Sequence, residues 1–354
     1  MPSSRRGRVG IIDTGIDPQR AQGWISKSAT ISLCGFDIKP GLGDYEELDH
    51  GTDMANSIWR IAPEVEVVSV AALNAGAVIA RTALAFDWLL TQNVDVILCA
   101  FGFAEEVWAL NDLISAAVDR DVLVVGAAGN CGAGRMLSPG RFADVLSVGL
   151  AASETRVGRI SGSLASGQGQ RRALPHIVTD LHEDDVLGTS AATARIAGFA
   201  ASFRRNNPSL HARDVAYAIC HAAKKLDPCH AHRAGFGYFD AETAPEKLSG
   251  APSQKNRDFS RLPSRHICAN LVENCRRVGP ASTVTLLVGT QKTLEGARLR
   301  RTLSQSSVRI TALGAVPINV VELAPVQALD LANAKGVQFI SDTKMDPNNI
   351  RSVW

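Results

Sequence analysis

No stretch of this 354-residue chain approaches the roughly 18 consecutive apolar residues that a membrane-spanning helix needs, so no such helix is expected. Charge of either sign is also not in excess. Against 37 Lys and Arg stand 35 Asp and Glu, a net of +2, which points to neither nucleic acid nor an anionic membrane as partner. Evenly countable cysteine is missing as well. Cys34, Cys99, Cys131, Cys220, Cys229, Cys268 and Cys275 are odd in number, so at least one thiol has no mate within the chain, and a reducing, cytoplasmic setting is expected. Met1 to Arg8, with three arginines, runs directly into Val9 to Ile12, an apolar stretch too short for a secretion signal. Cys220-His221 and Cys229-His230-Ala231-His232 carry metal-type ligands, but at no standard zinc spacing. No metal and no cofactor are expected.

What remains is an ordinary globular composition, 45% hydrophobic and 20% charged, long enough for about two domains. Apolar, β-branched runs at Val9–Ile12, Val65–Ala72, Val94–Ala100, Val122–Ala127 and Val145–Val148 alternate with segments of helical spacing at Val78–Thr91 and Glu105–Arg120. Continuous apolar strands interleaved with helices predict an α/β fold, a parallel sheet with helices on both faces. Chemistry in such sheets collects at the carboxyl ends of the strands.

Four short motifs sit at those ends. The first strand runs into Asp13-Thr14-Gly15, Asp49-His50-Gly51-Thr52-Asp53 stands at a helix start, and Ala127-Ala128-Gly129-Asn130 ends a strand. The last, Gly188-Thr189-Ser190-Ala191-Ala192, opens a run of small residues reaching Gly198. Taken singly, each is as well explained by a turn or a helix cap. Asp-Thr-Gly is also the aspartic-peptidase signature, but the chain has no second copy to supply the other carboxylate.

Taken together, the motifs resemble the subtilisin-like serine peptidases, or subtilases, whose order is Asp, then His, then Ser. Asn206-Asn207-Pro208 with the helix after it, and Gly235 to Ala241, extend the likeness over residues 7 to 245. The resemblance implies a serine endopeptidase with Asp13, His50 and Ser190 as its triad and Asn130 as oxyanion donor. Ile97 to Gly102 resembles the strand that pairs with bound substrate, which implies substrate contact at Phe101 and Gly102. A peptide or protein is then the expected partner. Asp53, Asn56, Ala194 and Ala100 depart from the family pattern at positions outside the triad. Glu183-Asp184-Asp185, just before the serine motif, reads as a solvated loop. A catalytically silent binding or regulatory protein of the same shape is the rival reading.

Residues 1–245 are expected as the peptidase domain and 246–279, rich in Ser, Pro, Lys and Arg, as a linker. From 280 to 354 the pattern restarts as strand, helix, two strands, helix, strand, the ferredoxin-like α+β order. This region resembles the propeptide inhibitor domain of subtilases, with Leu331 to Asp342 as its final helix and strand. The likeness implies that the C-terminal domain acts on its own peptidase domain as chaperone or inhibitor, with Lys344–Trp354 either lying in the cleft or left as a frayed tail of a surface-docked domain.

Overall fold

A computed structural model describes residues 7–32, 37–41, 49–73, 78–165, 174–244, 266–267, 284–290, 294–306, 309–334 and 337–342. The expected tail at Lys344–Trp354 lies outside them. Strand β1 (Arg8–Asp13) runs through the middle of the larger sheet, parallel to β4 (Glu66–Ala71) on one side and β5 (Val96–Cys99) on the other. Val9 to Asp13 are all buried, as a strand covered on both faces requires of its sequence.

Beyond β5 follow β6 (Leu123–Ala127), β7 (Leu146–Ser153), β9 (Ile177–Thr179) and β10 (Gly237–Tyr238), all parallel. Beyond β4 lie β2 (Ile25–Ile31), parallel, and β3 (Ile38–Pro40), antiparallel at the edge. The short β8 (Arg156–Val157) folds back on β7. The strand order is therefore β10-β9-β7-β6-β5-β1-β4-β2-β3.

Helices α1 (Asp49–Ile61), α4 (Thr189–Asn206) and α5 (Ala212–Ala222) cover one face, where Met54, Ile58, Ile196 and Phe199 meet Val9, Ile11, Leu98 and Val125. On the other face α2 (Val78–Leu89) and α3 (Trp108–Asp119) meet Ile12, Val70, Ile97 and Val124. Alternating side chains of each strand thus feed two cores. Helix α4 is buried without a break from Thr189 to Ala201, and its small residues allow that. Among the described residues no helix is long and apolar enough to cross a membrane.

The C-terminal unit has the expected order: β12 (Val284–Thr290), α6 (Leu294–Ser306), β13 (Arg309–Ala312), β14 (Ile318–Leu323), α7 (Pro325–Asn333) and β15 (Val337–Asp342). Its antiparallel sheet is ordered β15-β12-β14-β13, and β11 (His266–Ile267) adds a parallel strand outside β15. That strand falls inside the range expected to be linker.

Strands β12 and β14 are apolar on both faces. Leu286, Val288, Val321 and Leu323 pack on Leu299, Leu303, Ala328 and Leu331 of the unit itself. Leu287, Ile318 and Val320 face the other way and join the core that contains α2 and α3. Helix α2 is consequently buried around its whole circumference from Ile79 to Phe86. The Asp87 carboxylate closes the contact, accepting the Gly314 and Ala315 backbone N–H groups at 2.9 and 2.6 Å.

Candidate active site

Strands β1, β5 and β6 are parallel neighbours, so the residues that follow them emerge along one rim of the sheet. Asp13 is the last residue of β1, and its side chain is wholly buried. His50, the second residue of α1, holds its Nδ1 at 2.8 and 2.9 Å from the two Asp13 carboxylate oxygens. An ionised carboxylate only accepts, so Nδ1 carries the proton and donates; in the neutral ring Nε2 is then left as a base.

Two neighbours hold this pair. The Thr14 N–H donates to Asp13 Oδ1 at 2.7 Å, and Thr14 Oγ1 accepts the Gly51 N–H at 3.0 Å. Gly51 lets the helix come this close. A Cβ there would lie 2.1 Å from the Gly15 carbonyl oxygen and 3.2 Å from Asp13 Cβ.

Ser190 is the second residue of α4, and its hydroxyl donates to the Ala100 carbonyl at 2.8 Å, just past β5. Its backbone N–H belongs to the first turn of the helix, where amides have no partner within the helix. Asn130 follows β6 by three residues. Its Oδ1 accepts the Thr189 N–H at 3.0 Å and the Thr189 hydroxyl at 3.1 Å, while Thr189 Oγ1 accepts the Gly129 N–H at 3.1 Å. With Oδ1 engaged twice, the Asn130 amide is oriented, and its Nδ2 lies 3.2 Å from where a Cβ on Gly188 would sit.

Phe101 and Gly102 continue from β5 toward the same rim. The Phe101 side chain is buried edge-on against Phe103, ring centres 5.6 Å apart.

The acidic loop differs from expectation. Glu183 and Asp184 are exposed, but the Asp185 side chain is buried completely. It accepts Ser57 Oγ–H and an Arg60 N–H, each at 2.6 Å, and the His182 backbone N–H at 2.9 Å. Arg195, itself buried on α4, lies 3.5 Å away and pairs also with Glu242 at 2.7 Å. One carboxylate therefore joins the helix of His50, the helix of Ser190 and the loop between. Desolvation of a lone carboxylate would not permit this burial; two guanidinium groups do.

Asp53 and Asn56, two of the departures from the family pattern, brace the loop after β1. Asp53 lies 3.7 Å from Arg20, and burial holds its carboxyl above the usual range. Asn56 accepts the Gln22 N–H and donates to the Arg20 carbonyl. His221 stacks on Tyr217, ring centres 3.9 Å apart, with Phe236 at 5.4 Å. Among the described residues no three His, Cys, Asp or Glu side chains are grouped to hold a metal ion.

Comparison with known proteins agrees with this architecture. The chain is 27% identical over 212 residues to subtilisin Savinase of Lederbergia lenta, covering 55% of this chain and 77% of the relative. To an alkaline protease of Alkalihalobacillus alcalophilus it is again 27% identical over 212 residues, 55% of this chain but about half, 54%, of that protein. The solved structure of a psychrophilic protease, S41, superposes with a TM-score of 0.56 at 19% identity, over 66% of this chain and 91% of the other, a likeness of fold. The Peptidase_S8 pattern, that of the subtilase family, matches residues 6–237. With its parallel sheet, its strand-end motifs and that match over more than half its length, the chain belongs to the subtilase family.

Proposed function

We propose that this chain is a serine endopeptidase in which Ser190 is the nucleophile, His50 the general base and acid, Asp13 the group that orients His50, and Asn130 an oxyanion donor. The observation that carries this reading is the two-pronged bond from His50 Nδ1 to the buried Asp13 carboxylate, on the rim where Ser190 and Asn130 also emerge. Membership of the subtilase family supports it.

In the proposed reaction the Ser190 hydroxyl proton swings from the Ala100 carbonyl to His50 Nε2 as Oγ bonds to the substrate carbonyl carbon. The carbonyl oxygen becomes an oxyanion that accepts from Asn130 Nδ2 and the Ser190 backbone N–H. Asp13 stabilises the imidazolium. The C–N bond then breaks as His50 returns its proton to the leaving amine, giving an acyl-serine. Water attacks that ester with His50 again as base, releasing the acid and restoring Ser190.

Residues 280–354 act, in this reading, as a built-in restraint on the peptidase domain. Supporting it are the apolar outer face of β12 and β14 against the α2–α3 core and the Asp87 carboxylate bonded to two backbone N–H groups of the C-terminal unit.

Labelling with a fluorophosphonate tests the nucleophile: the wild-type chain and the Asp87→Arg variant are labelled, the latter faster, and Ser190→Ala is not. Equal labelling of Ser190→Ala, or none in either parent, would sink the peptidase reading in favour of a silent binding protein. Unchanged labelling and turnover in Asp87→Arg and Val320→Asp would remove the restraint alone.

A further inference from the structure

We propose that Leu137 closes the recess beside Ser190, so that the peptidase cleaves after a small residue (Gly, Ala or Ser) and excludes large side chains there; this rests on the peptidase reading above. Two glycines face each other across the rim. Gly102 lies two residues past Ala100, whose carbonyl accepts the Ser190 hydroxyl. Gly129 precedes Asn130, and its N–H binds the hydroxyl of Thr189 beside the nucleophile. Glycines at these two places leave the gap between the exits of β5 and β6 without side-chain walls. Because Ala100, Gly102 and Gly129 stand beside both Ser190 and Asn130, this gap is the proposed recess for the residue before the scissile bond.

The gap is occupied. A Cβ on Gly102 would lie 2.4 Å from Leu137 Cβ and 2.7 Å from its Cδ1, and one on Gly129, where φ is +88°, 2.6 Å from Leu137 Cγ and 2.7 Å from Cδ1. The isobutyl group is thus wedged against both glycines and is 5% exposed. Backbone bonds to both strand exits fix it: the Leu137 N–H donates to the Ala128 carbonyl at 3.2 Å, and Ser138 exchanges bonds with Phe103 at 2.7 and 2.9 Å. A large substrate side chain would have to displace a buried leucine that is held by the fold on either side.

Peptide substrates differing only in the residue before the scissile bond, Ala against Phe, test this with the full-length chain and with its Asp87→Arg form. The wild type is expected to favour Ala over Phe by about 100-fold in kcat/KM. Leu137→Ala and Leu137→Gly are expected to lower that ratio at least about tenfold, the scale on which filling or emptying an apolar pocket discriminates substrates, while Ala turnover reports intact folding. A wild type that cuts after Phe as well as after Ala overturns the proposal even if neither variant folds. So does an active variant whose preference has not moved. Absence of turnover with every substrate, together with no fluorophosphonate label on Ser190, overturns the peptidase reading and this inference with it.

Discussion

Thr189 aims Asn130: its N–H and its hydroxyl both donate to Asn130 Oδ1, at 3.0 and 3.1 Å, so the amide cannot flip without losing two hydrogen bonds. An oxyanion donor gains from being oriented in advance. Replacing Asn130 by Leu is expected to lower kcat by about 10²- to 10³-fold with little change in KM, a magnitude known from a subtilisin. Thr189→Val, which removes the hydroxyl bond, should cost about five- to tenfold, one hydrogen bond's worth. Because the two act through one amide, the double variant should be no slower than Asn130→Leu alone. Steady-state kinetics on the three variants decides it, and additive losses would mean that Thr189 acts elsewhere.

Gly51 sets the spacing of the His50–Asp13 pair. A methyl group there would press on the Gly15 carbonyl and Asp13 Cβ and push the start of α1 off the sheet. Gly51→Ala should therefore destabilise by about 1–3 kcal/mol, the usual cost of overpacking, and should lower kcat far more than Gly198→Ala does. At Gly198 the same methyl group meets the Ile58 carbonyl of α1, at 2.9 Å, two turns beyond His50. Melting temperatures and kcat for both variants test the contrast.

Arg195 and Asp185 form a buried ion pair at 3.5 Å, with 1% and 0% of their side chains exposed. Removing one partner of such a pair leaves an ill-compensated charge in the interior, costing about 3–5 kcal/mol. Arg195→Met should lose that much in urea unfolding, and Arg195→Met with Asp185→Leu should regain part of it. If the single variant unfolds like the wild type, Arg60 alone suffices for Asp185.

Asp144 gives a pH-dependent test. Burial raises its carboxyl above the usual value, with Arg213 partly opposing. The folded chain therefore holds this proton more tightly than the unfolded chain does, and the stabilisation of the protonated form is complete below about pH 4, the ordinary aspartate value. It is lost as pH rises through the higher folded value. Asp144→Asn should raise the melting temperature near pH 7 and leave it unchanged near pH 3. An equal effect at both would point away from ionisation.

The strands that carry the site were legible because they are central. Val9–Ile12, Val94–Ala100 and Val122–Ala127 are buried on both faces, and their sequences are correspondingly continuous in apolar residues. Strands β2 and β3 were not, since they lie toward one edge, ISKSATI with mixed burial and IKP exposed throughout; β9 and β10 are three and two residues long and exist only through pairing with strands distant in sequence.

The motif letters at the rim could be read, but the bonds that orient them could not. Thr189 meets Asn130 across 59 positions and Asp185 meets Ser57 across 128. A carboxylate in an acidic run looks solvated until the fold brings two arginines to it. In the same way, Leu287, Ile318 and Val320 could be read as strand residues, but not as residues that reach helices α2 and α3.

Those three side chains would make detachment of the C-terminal unit, on the proposed restraint, hard to reverse. A severed C-terminal unit would carry its bare greasy plane into water, where clumping or proteolysis competes with re-docking. Under the proposed restraint, a peptidase domain freed in this way would stay active until it was degraded.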